Sequence, residues 1–162
     1  MKALREFLHI FFAKFKPGSR RDLGTFIYAV RVRTMQGRLT VSLVDWPEVS
    51  VAVKQDPLVE LKAALLASIA KQARTRTPIP TPKAKPSSTF FVRLSAGEAM
   101  KVMVINEMFA GGLNPASVAS ALGLEKTAIS NAINLSQPTD VELLNKILNM
   151  AGKRLLAYTV AS

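Results

Sequence analysis

The sequence predicts an α+β chain in two parts, a small β-β-β-α block followed by an all-helical domain closed by short terminal strands. Three observations predict it. Residues 26–33 and 39–43 alternate apolar and polar side chains, the period of half-buried strands. Residues 74–89 hold Pro78, Pro80, Pro82 and Pro86, which forbid helix and mark a boundary. From Ser95 onward, apolar residues recur at helical spacing between capping signals and glycines.

Met1 to Lys16 sets Leu4, Leu8, Phe11, Phe12 and Phe15 at helical spacing, with Lys2, Arg5 and Lys14 mostly off that stripe. This predicts a basic amphipathic helix in an N-terminal extension over 1–24, better suited to docking on the domain behind it than to a membrane surface. Gly18 to Asp22 reads as a loop. In the first strand Phe26, Tyr28, Val30 and Val32 face one way and Ile27, Ala29, Arg31 and Arg33 the other. A turn at Met35-Gln36-Gly37 leads to a second strand through Leu39, Val41 and Leu43. Pro47, which cannot donate to a ladder, breaks it, and Val49 to Val53 suggests a short third strand.

Asp56-Pro57 opens a helix, the aspartate as N-cap and the proline at the first helical position, where no N–H is needed. Leu58, Leu61, Leu65 and Ile69 form its buried stripe, and it should fade near Arg74. Residues 25–73 thus make a block that is marginal alone by size and stands to gain from a fourth strand or a dimer. Residues 74–89 read as an extended linker carrying Arg74, Arg76, Lys83 and Lys85 with no acid. In residues 90–162, Phe90 to Leu94 reads as a strand. Ser95 to Glu98 forms a capping box for a helix running to Phe109, which Gly111-Gly112 ends. Thr139 to Glu142 forms a second box, for a helix along Val141, Leu144 and Leu148 that stops at Gly152. Arg154 to Val160 closes the chain as a strand placed to pair with residues 90–94.

The chain of 162 residues has no cysteine, and His9 is its single histidine. Disulfides, thiolate zinc sites, cysteine nucleophiles and His-rich metal sites are therefore excluded, which suits a reducing cytoplasm. No apolar run approaches the ~20 residues that span a bilayer, so neither a membrane nor a metal or cofactor is an expected partner. The net charge is +11, and residues 1–90 carry sixteen Lys/Arg against six Asp/Glu, while residues 91–162 carry six against five. Such a surplus suits an anionic partner. Asp45, Glu48, Asp56 and Glu60 are the carboxylates a metal-dependent nuclease would need to gather. Asp56 is better explained as an N-cap and Asp45 and Glu48 as loop residues. With no G-x-S-x-G, P-loop or H-E-x-x-H motif, the chain is not expected to be an enzyme, and no residue is assigned a catalytic role.

Between the two capped helices lies LNPASVASALGLEKTAISNAINL. Asn114 caps and Pro115 starts a short helix. Ala119 is small enough for a second helix to cross closely. Gly123 stands at the sharp turn, where a residue without Cβ tolerates positive φ. Ile129 anchors the second helix, with Val118, Leu122 and Ile133. The pattern Ala-x3-Gly-x5-Ile resembles the helix-turn-helix of phage repressor and Cro-like domains. That resemblance implies that the second helix enters the major groove of double-stranded DNA. With Ala128, Ile129, Ala132 and Ile133 inward, Glu125, Lys126, Thr127, Ser130, Asn131 and Asn134 face out. Asn131 suits an adenine edge, Lys126 guanine or a phosphate, and Thr127 and Ser130 either. The amides at the start of the Asn114-Pro115 helix suit a backbone phosphate. A homodimer or higher oligomer is expected, because one such motif reads only a half-site.

The wider layout, over about residues 25–160, resembles the HicB antitoxin family in its subgroup with a C-terminal helix-turn-helix. The resemblance rests on the strand pair ending in Val44-Asp45-Trp46-Pro47-Glu48, similar to the family's Asp-x-Pro segment, and on the helix and the Pro78 to Pro82 linker that follow. It continues from Phe91-Val92-Arg93-Leu94-Ser95 through the motif to Arg154-Leu155-Leu156. It implies a degraded RNase H-like N-terminal domain, a DNA-binding dimer that represses its own operon, and a small RNase toxin, HicA-like, as partner. The alternative is a stand-alone regulator from a mobile element, whose basic N-terminal half binds another partner or nucleic acid without neutralising a toxin.

Overall fold

The computed structural model describes residues 7–12, 26–35, 38–83 and 90–160. The elements run β1 (Phe7–Phe12), β2 (Ile27–Met35), β3 (Arg38–Leu43), β4 (Ser50–Ala52), α1 (Pro57–Thr75), β5 (Phe91–Arg93), α2 (Ala96–Ala110), α3 (Pro115–Leu122), α4 (Lys126–Ile133), α5 (Val141–Met150) and β6 (Leu155–Val160). The mixed α+β class is borne out. Contacts divide the chain into two units. One is Phe26–Ser95; the other joins β1 to everything from Ala96 onward.

In the first unit the alternating residues form an antiparallel sheet in the order β4-β3-β2-β5. Val30 lies opposite Leu43, Val32 opposite Val41, and Val41 opposite Val51. Period-2 alternation puts Tyr28, Val30, Val41, Leu43 and Val92 on one face, where they are buried together with Leu61, Leu65 and Ile69 of α1. Each such aliphatic side chain contributes about 1.5–3 kcal/mol by leaving water. Val32 and Leu39 share that face by register yet remain 46% and 45% exposed. Helix α1 starts as expected, Asp56 accepting from the amides of Leu58 and Val59 at 3.0 and 3.2 Å. It ends at Thr75, on an Arg76 in left-handed conformation.

The anticipated linker does not run free where it is described. Ile79 is buried, the Tyr28 hydroxyl donates to the Pro80 carbonyl at 2.8 Å, and the Lys83 amide donates to Asp45 at 3.0 Å. Prolines that forbid helix thus lay this stretch along the sheet unit. Residues 84–89 lie outside the described residues.

Two expectations are corrected. Phe7–Phe12 is a strand, not part of a helix over 1–16, and it pairs antiparallel with β6, Phe7 opposite Val160 and Phe12 opposite Leu155. Six residues reading FLHIFF fit a strand as well as a helical stripe, and the backbone of β6 supplies the partner. The rest of the 1–24 extension, with the loop at Gly18 to Asp22, lies outside the described residues, as do Gln36 and Gly37 of the expected turn. Residues 90–94 do not pair with the C-terminal strand either. β5 pairs with β2, Tyr28 opposite Val92, and Val92 and Leu94 are each only 4% exposed. The sheet thereby gains its fourth strand and covers an edge of β2. The strands that close the second unit are β1 and β6.

Candidate nucleic-acid interface

Helices α3 and α4 are held by one buried cluster. Val118 and Ala119 of α3 and Ile129 and Ala132 of α4 pack with Met100, Val104 and Met108 of α2 and Leu144, Ile147 and Leu148 of α5. Ala128 and Ile133, expected inside, are half-buried. Ala119 is 4% exposed, consistent with its place at the close crossing.

The start of α3 is set by Asn114, whose Oδ1 accepts from the amides of Ala116 and Ser117, both at 2.9 Å. Ser117 Oγ accepts from the Asn114 amide at 3.1 Å in return, so two otherwise unpaired N–H groups are satisfied reciprocally. Pro115 occupies the first turn. Gly123 ends the helix at φ 65° and ψ 34°, and the Leu124 amide closes the turn on the Ala119 carbonyl at 2.9 Å. The chain reverses there and α4 begins.

Helix α4 presents the polar set read from the sequence. Glu125, Lys126, Thr127, Asn131 and Asn134 are exposed and Ser130 is half-buried. Glu125 is the N-cap by position, but its side chain makes no capping bond, which leaves the first turn of α4 open. Lys126, Thr127, Ser130 and Asn131 share the outward side. Asn134 stands apart at the C-terminus, its Oδ1 accepting from the Ser136 amide at 3.0 Å.

One residue that positions α4 was not singled out in the sequence. Lys101 of α2 is 1% exposed. Its Nζ donates to the carbonyls of Asn134, Gln137 and Pro138 at 2.8, 2.5 and 3.2 Å. Three carbonyls replace the water this ammonium gives up, and burial lowers its pKa from 10.5 against a smaller opposing effect of Glu98. The bonds fasten α2 to the loop that leaves α4. The available signal was a lysine inside the apolar run from Ala99 to Ile105. The cap of α5 also differs from expectation. Asp140, not Thr139, is the N-cap, accepting from the Leu143 amide at 2.9 Å. The Thr139 side chain instead lies where a Cβ on Gly97 would stand.

Three of the four carboxylates weighed as catalytic serve the backbone. Asp45 and Asp56 accept the bonds given above, and Glu60 accepts from the Gln55 amide at 2.9 Å. Among the described residues no three His, Asp or Glu side chains gather as a metal site, and no helix is long and apolar enough to cross a membrane.

No family model matches the chain. It is 28% identical over 130 residues to Antitoxin HicB 2 of Photorhabdus laumondii, the match spanning 79% of this chain and 92% of that protein. The resemblance to HicB-like antitoxins is borne out. At that coverage the likeness extends over both units of the chain. It is not confined to the helices around α4.

Proposed function

We propose that the chain is a HicB-like antitoxin that also binds double-stranded DNA in a sequence-specific manner and represses transcription, with α3 and α4 as a helix-turn-helix. The single observation that carries the DNA-binding part is the α3–Gly123–α4 geometry. A close crossing at Ala119 and a left-handed turn project Lys126, Thr127, Ser130 and Asn131 from one side of a short, well-anchored helix. Helix α4 then lies in the major groove, with Asn131 and Lys126 at base edges. Asn114, Pro115, Ala119, Gly123 and Ile129 form the scaffold. The capped start of α3 faces a phosphate. A homodimer places two such helices about 34 Å apart, one turn of the duplex. The first unit is read as a degraded RNase H-like domain that meets a small RNase toxin of the HicA type.

Footprinting on the DNA upstream of its own gene tests the DNA-binding part. Thr127→Ala with Asn131→Ala should abolish the protected site while leaving the melting temperature within about 2 °C, since both side chains are exposed. Unchanged protection would refute the assignment of α4. Co-expression with a HicA-type RNase tests the antitoxin part, where the absence of both a complex and growth rescue would refute it. The concentration of positive charge in residues 1–90 favours a second reading, a stand-alone regulator whose N-terminal half meets an anionic partner.

A further inference from the structure

The sheet of the first unit has a second face, opposite the one packed on α1. Register assigns its occupants. Arg31 and Arg33 of β2 alternate with buried Val30 and exposed Val32. Arg33 lies opposite Thr40, Arg31 opposite Ser42, and Arg38 opposite Met35. On β5, Phe91 lies opposite Ala29 and Arg93 opposite Ile27. Arg31, Arg33, Arg38, Arg93 and Phe91 are all exposed. The Arg93 guanidinium sits 5.6 Å from the centre of the Phe91 ring. Among the described residues no acid shares this face: Asp45 and Glu48 follow β3 in the loop, Asp56 caps α1, and Glu60 lies in its first turn.

We infer that this arginine face binds single-stranded nucleic acid, with phosphates on Arg31, Arg33 and Arg38 and a base on the Phe91–Arg93 pair. Charge fixes the sign of the partner, since four guanidiniums without a carboxylate form a surface for polyanions. Shape favours a single strand over a duplex. The two edge strands lie roughly 14 Å apart, whereas a major groove about 12 Å wide admits a helix or a two-stranded ribbon. A flat face with an exposed ring suits a strand whose bases are free to stack. The site lies in a different unit from α4, and the inference does not depend on the reading of that helix.

The test measures binding of a fluorescent oligothymidylate to the full chain across a salt titration. The expected result is binding at low salt. Arg31→Ser, Arg33→Ser and Arg38→Ser together should weaken it at least ~10-fold and reduce the salt slope by about 2, at about 0.7 per phosphate contact. Phe91→Ser should weaken it with the slope unchanged. Thr127→Ala with Asn131→Ala should leave it untouched, which separates this site from α4. The single charge reversal Arg33→Glu, at an exposed position, serves if the triple variant melts early, and should itself weaken binding. Full binding by these arginine variants, no binding by the wild type at low salt, equal competition by polyglutamate, or a duplex held more tightly through the same arginines would each overturn the inference.

Discussion

A buried ammonium is tolerated only when its hydrogens are all used, and Lys101 meets that condition with three main-chain carbonyls. Lys101→Met keeps the volume but leaves the Gln137 and Pro138 carbonyls without this donor, while the Asn134 carbonyl keeps the Gln137 amide at 3.1 Å. A loss of about 2–3 kcal/mol is expected in urea unfolding, as each buried unpaired group costs about 1–3; a change below ~0.5 kcal/mol would show that the loop re-pairs by itself. Tyr28 offers a second test. Its phenol is fully buried, bonded to Pro80, and held protonated well above its ordinary 10.0, chiefly by burial and then by Asp45. In the alkaline range the folded state therefore holds a proton that the unfolded chain gives up. The stabilisation is complete below about pH 10 and is lost as pH rises above it. Thermal melts from pH 8 to 11 should show a decline that Tyr28→Phe flattens. The burial of Tyr28 was legible from the alternation of β2. Its acceptor was not, because Pro80 is distant in sequence and lies in a stretch read as a spacer.

Elements whose signals are local were legible. Asp56-Pro57 announced α1, and Asn114-Pro115 with Gly123 announced α3 and the turn into α4. Gly123 itself is testable, since a Cβ there meets nothing within 4 Å but would sit at φ 65°. The cost of Gly123→Ala is thus backbone strain alone, about 1–2 kcal/mol in chemical denaturation, and Gly123→Asn should cost less. A loss above ~3 kcal/mol would mean that the turn is packed more tightly than the structure has it. Elements whose signals are non-local were misread. Leu8, Phe11, Phe12 and Phe15 fit a helical stripe, while FLHIFF fits a strand equally well, and only β6, at the far end of the sequence, decides between them. The strand at residues 90–94 was legible as a strand but not as the partner of β2. A sheet edge takes whichever strand covers it best, and local pattern does not name that strand. The outward set on α4 was legible because helical periodicity assigns faces directly.

For the molecule, the order of segments differs from two beads in a row. The sheet unit, Phe26–Ser95, is inserted into a unit whose strands come from near both ends of the sequence. Residues 26–95 hold the four strands and α1 together and should give a cooperative melt when expressed alone; a fragment without a transition would show that the unit depends on the rest. Deleting residues 1–24 removes β1 and leaves β6 with a bare ladder, so the full chain should lose several degrees in Tm even if DNA binding is retained. The pairing of β1 with β6 also has a consequence during synthesis. A ribosome releases β1 well before β6, at about 5–20 residues per second, an interval on the order of ten seconds. The inserted unit can pack within that interval. The nascent apolar FLHIFF strand cannot, and until β6 emerges it stays open to a chaperone or to a neighbouring chain on the same polysome.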